Sequence, residues 1–145
     1  MAKYTPGSIT EAATIAMIAT KDIAAYAAER LVKRDFTGKS VVDLLGQRDM
    51  SLSETASIIG KKLGKPELKY VAFPYEDAEK GMIAMGLTPD LSRLYAEMSR
   101  ALNEGLFAVN IPRTKANTTP TPFETFADLF AAAYQASESG GRKVA

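Results

Sequence analysis

Any acid–base chemistry in this sequence must come from aspartate, glutamate, lysine or tyrosine side chains. The 145 residues include no histidine and no cysteine. Without histidine there is no imidazole base, no Ser-His-Asp triad and no histidine-ligated zinc. Without cysteine there is no disulfide, no thiol nucleophile and no thiolate metal site. The composition therefore excludes most familiar hydrolases, and we assign no catalytic residue and no metal ligand.

Three apolar side chains are the candidates for a small-molecule pocket. They are Met82, Met85 and Phe107. Methionine adapts to ligands of varied shape, and binding sites are mostly apolar. Ordinary core packing is the alternative explanation for the same three residues. Asp22 is a further candidate for orienting a ligand group, although its place at a helix start also accounts for it.

Two glycine-containing segments resemble phosphate loops only superficially. Gly60-Lys-Lys-Leu-Gly64-Lys65 has the wrong spacing and is predicted to lie at a helix C-terminus, where the dipole repels anions. Gly81-Met-Ile-Ala-Met-Gly86 lacks a third glycine and also ends a predicted helix. We therefore predict no cofactor-binding residue in this chain.

The charge balance argues against polyanionic partners. Eighteen basic and 17 acidic residues leave a formal net charge of +1, which favours neither nucleic acid nor an anionic membrane surface as a partner. No apolar stretch approaches the length of a membrane span, and no signal peptide is convincing. These observations predict a cytoplasmic protein.

Helix boundaries have the clearest sequence signals. Ser51 and Glu54 have the spacing of a capping box, and Gly64 is predicted to end that helix in a left-handed conformation. Thr88-Pro89 has the cap-then-proline pattern of another helix start. Five helices are predicted, with starts near Asp22, Ser51, Tyr75, Thr88 and Thr121.

Short apolar runs at 15–19, 40–45 and 68–73 predict three strands. The apolar spacing predicts a buried face on three helices. On helix one it consists of Ile23, Ala24, Ala27, Ala28 and Leu31, on helix four of Leu91, Leu94, Tyr95, Met98 and Leu102, and on helix five of Phe123, Phe126, Ala127, Phe130 and Tyr134.

Residues 1–14 are predicted to be a leader or loop, 15–136 a single α/β domain, and 137–145 a flexible tail. The predicted fold class is a helix-rich α/β fold with about three short strands and five helices.

Several segments occur in an order and spacing that match one known family. They are Met17-Ile-Ala-Thr-Lys-Asp-Ile-Ala24; Gly38-Lys-Ser with Leu44-Leu-Gly46; Ser51-x-x-Glu54; Ile59-Gly-x-x-Leu-Gly64-Lys-Pro66; Tyr70-Val-Ala-Phe-Pro74-Tyr-Glu-Asp77; and Asn117-Thr-Thr-Pro120-Thr-Pro-Phe-Glu124-x-Phe126. Together they resemble the NmrA-like branch of the atypical short-chain dehydrogenases. The resemblance covers residues 15–130 and corresponds to the C-terminal, substrate-binding portion of that family.

The resemblance implies NAD(P)(H) as the cofactor of a full-length relative. Members of the family are reductases of small carbonyl or quinone-like compounds, or redox sensors that bind the dinucleotide without turning it over. The family's glycine fingerprint, Gly-x-x-Gly-x-x-Gly, is absent from this sequence, so the cofactor is expected to bind a Rossmann part that precedes residue 1. The family's Tyr-x-x-x-Lys pair is absent too, because Arg30 follows Tyr26 at that spacing.

The resemblance therefore predicts the substrate- or regulator-binding portion of an NAD(P)(H)-dependent oxidoreductase or sensor, without catalytic activity by itself. A non-enzymatic binding or protein-interaction module derived from the same family is the alternative. Strands without their Rossmann neighbours would expose apolar edges. We therefore expect a small-molecule ligand, together with self-association or binding to a Rossmann-bearing partner chain. A monodisperse monomer in light scattering over a wide concentration range would contradict the expected association.

Overall fold

The computed structural model describes residues 4–11, 13–106 and 111–140. Its described part contains five helices and four short strands, which confirms the predicted helix-rich α/β class. In chain order these are β1 (Tyr4–Gly7), β2 (Thr14–Ile15), α1 (Thr20–Lys33), β3 (Met50–Ser51), α2 (Leu52–Lys62), β4 (Lys69–Ala72), α3 (Tyr75–Ala84), α4 (Pro89–Asn103) and α5 (Phe123–Gly140).

The chain groups into two compact units, each made of two segments. Unit 1 comprises Met1–Thr14 and Ser51–Asn110, and unit 2 comprises Ile15–Met50 and Ile111–Ala145. The predicted single domain over 15–136 stays a prediction.

In unit 1, a parallel pair of strands joins the beginning of the chain to its middle. Strand β1 pairs with β4, with Tyr4 opposite Lys69 and Gly7 opposite Ala72. The strand predicted at 68–73 is thus confirmed at Lys69–Ala72. The predicted leader or loop differs from the structure at residues 4–7, because these residues complete the backbone hydrogen bonding of β4.

The caps of the unit 1 helices agree with the sequence patterns. The Ser51 hydroxyl accepts a hydrogen bond from the Glu54 amide at 3.1 Å, and the Thr88 hydroxyl accepts one from the Leu91 amide at 3.3 Å. Gly64, directly after the turn that ends α2, has a φ of 69°, as the predicted left-handed cap requires. The sequence therefore located both the beginning and the end of α2.

The predicted buried face of α4 is wrong. Small residues form the buried stripe instead, at Ser92, Ala96 and Ser99. The serine hydroxyls donate to carbonyls one turn earlier in the helix, at 2.9 Å for Ser92 and 3.0 Å for Ser99, so their burial leaves no donor unpaired. The large members of the predicted face are exposed or half-buried: Leu91, Leu94, Tyr95 and Met98 are exposed, and Leu102 is intermediate.

In unit 2, two of the predicted strands are wrong for most of their length. The strand predicted at 15–19 overlaps β2 only at Ile15. The strand predicted at 40–45 is reduced to one bridge between Leu45 and Thr118, and Val41 is 89% exposed. An apolar run becomes a strand only where another strand lies beside it to accept and donate backbone hydrogen bonds, and the described residues provide none for 40–44.

Helices α1 and α5 confirm the predicted positions. The predicted buried face is wrong on α1 and is confirmed on α5 at Ala127 alone. On α1 the single buried residue is Asp22, whereas Ile23 and Leu31 are exposed. On α5 the buried residues are Ala127 and Ala131, while the neighbouring phenylalanines are exposed. Helix α5 continues to Gly140, so residues 137–140 of the predicted tail are helical, and 141–145 lie outside the described residues.

Within the described ranges, no helix has the length and apolar character needed to cross a membrane.

Candidate functional site

The starts of α1 and α5 meet in unit 2 and enclose a cleft of about 500 Å³. This volume lies within the range of small-molecule binding pockets, roughly 300–1,000 Å³. The lining comes from the beginnings of α1 and α5 and from the residues just before each helix: Met17, Ile18, Ala19, Thr20, Lys21, Thr121, Pro122, Phe123, Thr125, Phe126 and Leu129.

The Asp22 carboxylate joins the two helix starts. It accepts hydrogen bonds from the Thr121 backbone N–H at 3.0 Å and from the Thr121 hydroxyl at 2.7 Å. Desolvation acts to raise the pKa of Asp22, but the hydrogen bonds from Thr121 and Thr119 and the nearby Lys21 charge outweigh it and lower the pKa. Because negative charge is favoured at helix N-termini, this carboxylate suits the beginning of both helices. Asp22 therefore holds the cleft together and does not depend on a ligand for its hydrogen bonds.

A close backbone approach positions Met17 at the cleft. Gly46 is buried, and a Cβ atom at this position would lie 1.8 Å from the Met17 carbonyl oxygen. The adjacent Leu45 exchanges backbone hydrogen bonds with the 117–119 segment, accepting from Thr119 at 2.8 Å and donating to Asn117 at 2.7 Å. Only glycine at position 46 allows the Met17 segment and this loop to lie so close together.

Side chains from 47–49 and 113 fix the loop that leads into α5. Arg113 donates to the Gly46 carbonyl at 3.0 Å and to the Asp49 carboxylate at 2.7 Å. The hydrogen bond from Arg113 to Asp49, with their charge attraction, raises the pKa of Arg113. Gln47 donates to the Pro120 carbonyl at 2.7 Å, and Arg48 pairs with Glu124 at 2.7 Å. These contacts hold the cleft wall in place immediately before and within the first turn of α5.

A row of aromatic rings extends from the cleft along α5. The Phe123 and Phe126 ring centroids are 5.6 Å apart, those of Phe126 and Phe130 are 6.2 Å apart, and those of Phe130 and Tyr134 are 6.3 Å apart. These separations lie in the favourable range for aromatic pairs. Since Phe123 and Phe126 also line the cleft, a flat ring bound there would extend this row.

The pH dependence of stability tests the role of Asp22. Because its pKa in the folded chain is below the ordinary value of 3.8, its stabilising effect is complete above that value and is lost as the pH falls through the lower folded pKa. We expect Asp22→Asn to lower the Tm at pH 7 and to reduce the loss of Tm between pH 5 and pH 2. Thermal denaturation followed by circular dichroism measures both quantities. Asp43→Asn, at an exposed position, is the control, and its Tm should depend on pH as that of the wild type does. An Asp22→Asn curve of Tm against pH that runs parallel to the wild-type curve would contradict the stabilising role of Asp22.

Two of the three pocket residues predicted from the sequence, Met82 and Met85, lie elsewhere. Met82 is half-buried in α3, and Met85 follows that helix and is 76% exposed. Both belong to unit 1, and neither lines the cleft. Phe107 lies outside the described residues. A pocket at Met82, Met85 and Phe107 therefore stays a prediction, separate from the cleft.

Sequence reasoning missed the cleft because its apolar residues were assigned to the core. Phe123 and Phe126 have ordinary helical spacing, and Met17 and Ile18 lie in a run that is typical of a strand. The available signal was the pair of helix starts at Asp22 and Thr121, both recognised from their capping residues.

No family model matches the sequence, and no curated protein matches it. The solved structures that share the fold include the following two. A triphenylmethane reductase from Citrobacter sp. is 13% identical, with a TM-score of 0.67, and the match covers 90% of this chain and 45% of that one. An NADPH-dependent quinone oxidoreductase from Escherichia coli, solved with NADPH, is 22% identical, with a TM-score of 0.66 and coverage of 88% and 45%.

At these identities the likeness shows the fold, and this chain spans less than half the length of either neighbour. The predicted helix-rich α/β fold is therefore confirmed, whereas the resemblance to the NmrA-like family stays a prediction.

Proposed function

We propose that this chain is the substrate- or regulator-binding portion of an NAD(P)(H)-dependent oxidoreductase or redox sensor of the NmrA-like type. The observation that carries the proposal is the match of about nine-tenths of the chain to two oxidoreductase structures. In this proposal the dinucleotide binds to a part that carries the glycine fingerprint, a motif this sequence lacks. The chain by itself has no catalytic activity.

The cleft supports the binding role because its walls are apolar and aromatic with a few polar groups at the rim. Phe123, Phe126 and Leu129 offer flat or branched apolar surfaces, and Thr20 and Thr121 add hydroxyls. This combination is typical of small-molecule sites. A neutral aromatic acceptor, such as the quinones named for the second neighbour, fits this chemistry.

Calorimetric titration with 2-methyl-1,4-naphthoquinone tests the proposed cleft. The absence of cysteine removes thiol addition as a competing reaction. We expect saturable binding that Phe126→Ala weakens by about three- to tenfold, because a stacking surface is lost. Phe36→Ala is the matched control, since Phe36 is 49% exposed and Phe126 47% exposed, and Phe36 does not line the cleft. No binding by the wild type, or equal binding by both variants, would overturn the proposed site.

A parallel titration with NADPH and with NADH tests whether the cofactor site lies outside this chain. No saturable binding is the expected result for the 145-residue chain, since it has no fingerprint to approach a pyrophosphate. Clear binding of either dinucleotide would overturn the proposal that the cofactor site lies in another part.

Association with a second copy or with a Rossmann-bearing chain remains part of the proposal. It is supported by the exposed apolar side chains of α4, among them Leu94, Tyr95 and Met98, because unpartnered apolar surface favours association. Light scattering over a range of concentrations, with and without such a partner, is the test.

A further inference from the structure

The cleft at the starts of α1 and α5 has an asymmetric charge distribution. Among its eleven described lining residues, Lys21 is the one with an ionisable side chain. The lining residues therefore include one lysine and no aspartate or glutamate, whereas the chain as a whole is nearly balanced in charge. A charged ligand in the cleft would meet a cation at the rim.

The two acidic residues in the first turns of α5 point away from the ligand side. Glu124 and Asp128 each lie two positions from Phe126, which on an α-helix corresponds to about 200° around the axis. Glu124 is also paired with Arg48 at 2.7 Å. Neither carboxylate lines the cleft.

Asp22 is the nearest acidic residue in sequence to Lys21, and its oxygens are already engaged. They accept hydrogen bonds from the Thr121 N–H and hydroxyl, and the residue is only 8% exposed. Asp22 attenuates the field of Lys21, because the two charges interact, but its carboxylate is buried against Thr121 and does not line the cleft. The N-terminal turns of α1 and α5 face the same cleft and favour negative charge.

From this arrangement we infer that the cleft selects flat aromatic anions, such as aromatic carboxylates or phenolates, over aromatic cations of the same shape. The aromatic part lies against Phe123 and Phe126, and the anionic group lies at the rim within reach of Lys21 and the Thr20 hydroxyl. The inference rests on the proposed function, because it assigns a ligand class to that same cleft.

The test compares two probes with one ring system and opposite charge, 2-naphthoate and 2-naphthylmethylammonium, by calorimetric titration of the full chain. We expect the anion to bind about tenfold more tightly, since an exposed lysine attracts one probe and repels the other through a high effective dielectric. Lys21→Met should abolish the preference, so that the two charged probes bind with equal affinity. Lys39→Met, an exposed lysine of unit 2 outside the cleft, should keep the preference.

Three results would contradict these ideas in different ways. Equal affinities of the wild type for the two charged probes overturn the anion preference but leave the aromatic cleft intact. A preference that persists in Lys21→Met assigns the selection to another group and overturns the role of Lys21. Failure of the neutral naphthoquinone to bind overturns the proposed function itself.

Discussion

Replacing Gly46 with alanine is expected to destabilise the chain by about 3 kcal/mol or more, which is the range of severe overpacking. The added methyl group would lie 1.8 Å from the Met17 carbonyl oxygen and 2.7 Å from its carbonyl carbon. Both contacts are with backbone, so no side-chain rotation relieves them. The segment that leads into α1 must shift, and this segment lines the cleft. We therefore also expect Gly46→Ala to lose naphthoquinone binding; urea denaturation and calorimetry measure the two effects.

Two other glycines provide graded controls for the same substitution. At Gly60 the new Cβ would lie 2.6 Å from the Lys65 carbonyl oxygen, a smaller overlap, and we expect an intermediate loss of stability. At Gly81 nothing lies within 4 Å, and alanine is favoured over glycine in a helix by up to about 1 kcal/mol. Gly81→Ala should therefore be neutral or stabilising. The expected order of stability is Gly81→Ala, then Gly60→Ala, then Gly46→Ala; any other order contradicts the close-approach argument.

Helix positions in this chain could be predicted because their determinants are local. Ser51 and Thr88 each accept a hydrogen bond from an amide three residues later, and such contacts depend on adjacent sequence alone. The strand predicted at 40–45 was wrong because pairing depends on a distant neighbour, and only Leu45 has one in the described residues.

The buried face predicted for α4 was wrong for a related reason. Periodicity places Leu94 and Tyr95 on one side of α4, but it does not indicate which side meets the neighbouring elements. The structure buries Ser92 and Ala96, whose small size permits close packing, and leaves the larger side chains exposed.

The cleft could be only partly predicted. Its Asp22 was recognised as a helix-start residue, and the same residue was considered as a ligand-orienting group. Its hydrogen bonds to Thr121, 99 positions later in the sequence, depend on tertiary structure. No local pattern brings the starts of α1 and α5 together, so the site could not be identified from spacing.

Replacing Asn103 with alanine is the second change with a large expected effect. The Asn103 side chain accepts from the Thr10 amide at 2.7 Å and donates to the Ser8 carbonyl at 3.0 Å and to the Tyr75 hydroxyl at 2.6 Å. It thus connects the end of α4 to the segment after β1 and to the first residue of α3. At about 1 kcal/mol for each hydrogen bond, we expect a loss of about 2–3 kcal/mol.

Aspartate at the same position separates hydrogen bonding from side-chain size. Asn103→Asp keeps an acceptor for the Thr10 amide but loses both donors and places a negative charge at a helix C-terminus and beside the Ser8 carbonyl. We expect it to be at least as destabilising as alanine, although it is nearly isosteric with asparagine. Glu104→Ala, at the neighbouring exposed position, should change stability by no more than about 0.5 kcal/mol.

Hydrogen exchange provides the local test. The Tyr70 hydroxyl donates to the Ile9 carbonyl at 2.6 Å, so Asn103 and Tyr70 both hold the segment that follows β1. In Asn103→Ala the amides of residues 4–11 should lose protection more than those of α2. The segment that follows β1 then loses its contacts with Asn103 and keeps its contact with Tyr70. Because both contacts restrain one segment, Tyr70→Phe combined with Asn103→Ala should depart from additivity. Strictly additive losses of stability, or equal loss of protection throughout unit 1, would show that Asn103 does not act through this segment.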